Sequence, residues 1–256
     1  MIQYIVTFLL LFTFVYSTST TSFEKGVEFY DLRSKGAVGL QANPSYVDSA
    51  ISNFSVAKNI KPYELEASIY LLKCYYFKGK FVFDNQDEKK HIFNKGKELG
   101  EALITSYPES PGAYYWYLVN LGSWSEEYGI IAAAREGAAD IMFKYSNKII
   151  ELDQNYADGG GYFLLGAAHF KAPYIPFILS WPNNKEAIKY LKRATQTGDE
   201  TASQTVYLAE AYFKKGEKER AINLLQTLLK KKKSPDRLID DLEQHQIAEN
   251  LLVKWD

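Results

Sequence analysis

The sequence predicts an all-α protein, a solenoid of helical hairpins closed by a C-terminal capping helix. Three observations carry this. Apolar residues recur at spacings of three and four along the chain, the period of a helix face, while alternating strand patterns are nearly absent. A helix–break–helix pattern repeats along the chain. At 256 residues and 46% hydrophobic, the chain is long enough for one sizeable core or repeat array.

The chain opens with "MIQYIVTFLLLFTFVYSTSTTS", which holds no charged side chain. The apolar run Ile5 to Val15 is too short to span a bilayer comfortably. Val15 and Ser17 are small residues suited to cleavage after Ser17, so residues 1–17 read as a secretory signal peptide or, if uncut, an anchor. Residues 18–256 then form one helical-repeat domain. The only cysteine, Cys74, permits no internal disulfide, and "LLKCYYF" around it marks a buried thiol.

The first repeat, 23–62, is degenerate, with Ala50, Ile51, Phe54 and Ala57 on its second helix and Pro62 at its end. In 63–108, Leu71, Leu72 and Tyr75 lead to Gly79. The partner helix there holds Gly96, Gly100 and Leu103 and stops at Pro108. In 112–155, Trp116, Val119 and Asn120 open the first helix and "NKIIELDQNY" closes the second. In 158–197, Tyr162, Leu165, Gly166 and His169 start a helix, and Ala187, Leu191 and Ala194 form its partner. The insertion "KAPYIPFILSWPNN" between them carries Pro173, Pro176 and Pro182 and cannot be continuous helix.

The fifth repeat, 202–233, is the most legible. Leu208, Ala209 and Tyr212 precede a break at Gly216, and Ala221, Leu225 and Leu228 follow it. A small residue at the helix crossing and a glycine at the turn make this a tetratricopeptide-like pattern. Its period is stretched by insertions to ~43–48 residues from the usual ~34. Ser234 is placed to cap a last helix, 235–254, with Pro235 in the first turn and Leu238, Leu242, Leu251 and Leu252 on its apolar face.

Little here points to catalysis. A net charge of −1 gives no general attraction to nucleic acid. His91, His169 and His245 lie in no metal-ligand spacing, and no nucleophile elbow exists. His169 stands where the repeat has tyrosine and reads as a core histidine. Gly159, Gly160 and Gly161 lack the lysine of a phosphate loop and the spacing of a dinucleotide loop. They read as a sharp turn with close packing, with Asp158 as a helix cap. The sequence predicts no enzyme and no cofactor.

Aromatic content is high, with 20 Tyr, 15 Phe and 4 Trp. Counted by register, the concave face takes Ile69, Lys73, Tyr76 and Phe77, then Tyr114, Tyr117, Leu121 and Trp124. Phe163, Ala167, Phe170 and Lys171 follow, then Val206, Glu210, Phe213 and Lys214. Such an aromatic groove marks a binding face for a partner or apolar molecule, unless insertions fold over it and make it core.

"GAYYWYLVNLGSW", "IIELDQNYADGGGYFLLGAAHFKAP" and "NNKEAIKYLKRA" together resemble the T component of tetratricopeptide-associated TRAP transporters. The resemblance runs by helix order from about Tyr63 to Lys233, with shared motifs mainly between Gly112 and Ala194. It implies a periplasmic, non-catalytic protein that works with the transporter's substrate-binding subunit. It also implies a homotrimer with a cavity through each protomer that passes on an apolar ligand. By position, Tyr115, Trp116, Asn120, Trp124, Asp158, Gly159, Gly160, Gly161 and Tyr162 belong to the implied pocket region. Members are commonly lipoproteins, and no lipobox cysteine follows the apolar run here. The alternative function is a general envelope scaffold that holds an extended peptide in the groove.

Overall fold

A computed structural model describes residues 22–175, 177 and 179–256. The expected signal peptide and Pro176 lie outside them. α1 covers residues 22–31. Then come α2 (Pro44–Ala57), α3 (Glu64–Phe81), α4 (Gln86–Ser106) and α5 (Pro111–Tyr128). After them run α6 (Ile130–Arg135), α7 (Ala138–Leu152), α8 (Tyr156–Lys171) and α9 (Asn184–Ala194). α10 (Ala202–Lys215), α11 (Lys218–Lys230) and α12 (Leu238–Trp255) complete the chain. No named strand occurs among the described residues; Val38–Gln41 and Ile175–Leu179 form isolated bridges.

The helix starts are written in their caps. Side-chain oxygens of Asn43, Asn85, Ser110 and Asn183 accept from first-turn amides of α2, α4, α5 and α9. Thr201 and Gln204 form a reciprocal capping box on α10, and Gly216, at φ 92°, ends that helix in the left-handed conformation. Ser234 departs from its expected role. Its side chain caps nothing, Pro235–Arg237 forms a 3-10 turn, and α12 begins only at Leu238. The Ser234 amide instead donates to Asp241 Oδ2 at 2.7 Å. The third hairpin also holds an extra short helix, α6, set off by Gly129 and Gly137, both at positive φ.

The helices form two layers. α3, α5, α8, α10 and α12 each pack on the next and make the inner layer. α4, α7, α9 and α11 each sit between two consecutive inner helices on the outside, and α2 packs on α3. Small residues let the layers approach. A Cβ on Gly100 would lie 2.5 Å from the Tyr117 ring, and one on Gly166 would lie 2.7 Å from Leu191.

The solenoid curls far enough for its end to reach its beginning. Ile239, in the first turn of α12, is buried in the N-terminal cluster with Phe54, Phe77 and Phe81. Arg33, just after α1, donates through Nη2 to the Asp236 carbonyl, and Lys80 pairs with Glu243 at 2.7 Å. The C-terminal segment therefore straps the concave side, and burial of Ile239 is a stronger hold than the partly exposed ion pair.

Candidate ligand-binding face

Residues of the inner layer that point away from the outer helices line the concave side. On α3 these are Lys73, Tyr76 and Lys80; on α5, Tyr115 and Trp116; on α8, Phe163 and Phe170; on α10, Tyr207. All are half-buried. Their rings run in contact. Tyr76 and Trp116 lie 6.2 Å apart, Tyr115 and Trp116 5.3 Å, and Tyr115 and Tyr156 5.6 Å. Phe163 and Phe170 flank Tyr207 at 5.3 and 6.2 Å.

The cations on this face sit over rings. Lys73 Nζ lies 4.2 Å from the Tyr70 ring and 5.6 Å from that of Trp116, and burial lowers its pKa. Burial pushes the Tyr76 hydroxyl up to about 12, against the pull of Lys80. Burial likewise raises Tyr115 and Tyr207. The phenols are neutral hydrogen-bonding groups on an aromatic wall, with no activated nucleophile among them. Asp240 of α12 faces the same interior. Burial raises its pKa, and Arg33 and Lys80 oppose that.

Several expected groove residues lie elsewhere. Phe77, Tyr114, Tyr117, Asn120 and Trp124 are buried between helices. Tyr117 packs on Gly100, and Trp124 stacks on Tyr128 and donates to Asn94 Oδ1 at 2.7 Å. Asn120 donates to the Leu72 and Trp116 carbonyls, which pins α5 to α3. The concave register on α5 is thus Tyr115 and Trp116, one step from the expected Tyr114 and Tyr117. Ile69 and Val206 are core as well. Tyr162 meets Gln154 and Arg193, on the side of the outer helices. Tyr76, Tyr115, Trp116, Phe163 and Phe170 are the expected residues that the fold brings to the inner face. Tyr207 was missed because its neighbour Val206 fitted the apolar register equally well.

The glycine triplet has a packing explanation. Ala157, Asp158 and Gly159 all have positive φ and make a left-handed kink before α8 proper. A Cβ on Gly160 would lie 2.4 Å from the Tyr115 ring, and one on Gly161 2.9 Å from Ile150. Asp158 does not cap the helix. Its Oδ1 accepts from the Asp199 amide, its carbonyl accepts from Gln204 Nε2, and Oδ2 lies 3.5 Å from Arg237 Nη1. The kink thus ties α8 to α10 and to the strap.

Burial raises the Cys74 thiol far above its ordinary range, so it stays protonated. His169 is buried against Trp181 and Tyr190 and accepts at Nδ1 from the Asn183 amide at 3.4 Å. Among the described residues no group of three or more His, Cys, Asp or Glu side chains could hold a metal, and no helix is long and apolar enough to cross a membrane.

No family model matches the sequence, and no curated protein matches it. The folded chain is similar to solved structures. A thermophilic TPR (tetratricopeptide repeat) protein from Thermus thermophilus aligns with TM-score 0.57 and 18% identity over 93% of this chain and 96% of that one. Yeast Tom70 aligns with TM-score 0.48 and 17% identity over 91% of this chain, which spans 40% of Tom70. The Thermus likeness, with the layered hairpins, makes the fold a tetratricopeptide-like solenoid with a C-terminal capping helix.

Proposed function

We propose that this chain is a non-enzymatic, exported, periplasmic scaffold that binds a protein partner and holds an apolar small molecule against its inner aromatic face. The partner that fits the TRAP-like motifs is the substrate-binding subunit of a TRAP-type transporter, engaged by a homotrimer. The observation that carries the reading is the run of half-buried rings from Tyr76 through Trp116 and Tyr115, which inner-layer packing leaves partly open. Aromatic surface left partly open on a rigid concave scaffold is a binding surface.

A general scaffold holding an extended peptide is the second reading. The C-terminal strap disfavours it, because the contacts of Arg33 with Asp236 and Lys80 with Glu243 cross the side a peptide would follow.

Native mass spectrometry of the purified protein, followed by solvent extraction, tests the proposal. A trimer that releases a defined apolar molecule supports it. An empty monomer that captures extended peptides would overturn it in favour of the second reading.

A further inference from the structure

A separate cavity of about 80 Å³ lies outside the aromatic face, where α10, α11 and α12 meet. It is far smaller than the roughly 300 Å³ or more of an organic-ligand site, yet larger than one water requires. Its lining is polar and cation-rich. Lys231, Lys232 and Arg237 contribute three positive charges, against Glu200 and Asp241. Both carboxylates are engaged within the lining itself, Glu200 with Lys231 and Asp241 with the Ser234 amide, and Arg237 Nη1 lies 3.5 Å from Asp158, outside the lining. Lys232 has no carboxylate partner among the described residues.

Two further features point into the same space. Ala202, the first residue of the 14-residue helix α10, lines the cavity. The Gln204 amide is taken by the Thr201 side chain, which leaves the amides of Ala202 and Ser203 without an intrahelical acceptor, and the positive end of the helix dipole favours an anion. His245 also lines it. That side chain is 7% exposed, and neither ring nitrogen has a hydrogen-bond partner among the described residues. The Nε of Arg237 is likewise buried and unpaired. A buried donor without an acceptor is costly, so Arg237 Nε, beside the imidazole of His245 and the unpaired Lys232, marks a place for a ligand that accepts hydrogen bonds.

We propose that this junction binds a small tetrahedral oxyanion of the phosphate or sulfate class, held by Lys232, Arg237, the amino end of α10 and His245. The occupant fixes α12 against α10 and α11 at the root of the strap. Its source is either the free anion or the phosphoryl group of an ester small enough to enter.

Burial holds the His245 pKa below the usual histidine value. Lys233 adds to this, and Asp241 and Glu249 oppose it. Lys231, Lys232, Arg237 and Glu200 face the ring from the other elements around the cavity. A bound dianion favours the imidazolium, so binding tightens as pH falls through this range.

The test is calorimetric titration of sodium sulfate into the intact chain, with sodium chloride at matched ionic strength as control. Sulfate keeps its charge across the pH range, so any pH dependence belongs to the protein. Ring signals of His245 are followed by NMR. The expected result is saturable sulfate binding with a shift of the His245 signals, tighter in acid. Lys232→Gln, at an exposed position, weakens it by roughly threefold. His245→Gln keeps a neutral donor and removes the pH dependence. Inorganic phosphate and methyl phosphate are compared next: equal binding admits an ester, and binding of phosphate alone assigns the free anion. No saturable heat beyond the chloride control, or sulfate binding that is the same in the parent and both variants, would overturn the proposal.

Discussion

The Arg33 guanidinium donates to the carbonyl oxygen of Asp236, a residue 203 positions further along the chain. Beside this bond, Ile239 completes the N-terminal core cluster. An ordinary solenoid repeat contacts only its neighbours, so its ends fold independently of one another. Here the two ends share a core, and the first prediction follows. Ile239→Ala destabilises the protein by about 2–4 kcal/mol. It also speeds hydrogen exchange in α2 and α3, at the other end of the sequence. Faster exchange confined to α10–α12 would refute the shared core.

The acidic residue of the strap sets a pH dependence. Burial raises the Asp240 pKa above its ordinary value of 3.8, against the pull of Arg33 and Lys80. The folded state therefore binds a proton more tightly than the unfolded one. This contribution is fully present below the unfolded pKa and is lost as pH rises through the folded pKa. Asp240→Asn is thus expected to melt higher than the parent at neutral pH, with the advantage vanishing below about pH 4. Melting curves across that range decide it, and a variant that melts lower at pH 7 contradicts the sign.

Two tryptophans on one helix separate packing from binding. Trp124→Ala empties a buried site and removes the bond to Asn94, with an expected loss of about 3–5 kcal/mol. Trp116→Ala leaves that core intact and removes part of the concave wall. It is expected to lose less stability than Trp124→Ala and to release the apolar ligand in native mass spectrometry. Full ligand occupancy in Trp116→Ala would place the ligand elsewhere.

The kink before α8 is sensitive to a single methyl group. Gly160→Ala drives a Cβ into the Tyr115 ring at 2.4 Å. Overpacking of this kind costs about 1–3 kcal/mol, and the displaced ring belongs to the ligand face. Stability and ligand occupancy are expected to fall together. A variant with parental melting temperature would show that Tyr115 moves aside freely.

The all-helical class was legible because its signal is local. Helix period, Thr201 with Gln204, and Gly216 at a turn act within a few residues of each other. The concave face was legible only in part. On α5, "AYYWYL" is aromatic on both faces, so periodicity does not separate the wall residues Tyr115 and Trp116 from the core residues Tyr114 and Tyr117. Burial separates them, and burial depends on where α4 and α7 sit. Ser234 departs from the expected cap because its amide takes an acceptor seven residues on, Asp241 in α12, while its side chain makes no cap.

By itself the sequence determined that this is a stack of helical hairpins, since helix propensity, capping and turn chemistry act over a few residues. The glycine triplet was legible as a close-packed turn for the same reason, because glycine's backbone freedom and small size are local properties. Only the tertiary structure decided how tightly the stack curls, which rings face inward, and that α12 returns to α1 and α3. Those depend on the summed crossing geometry of many helix pairs. A small change at each crossing adds up along a solenoid, and no single segment encodes the total.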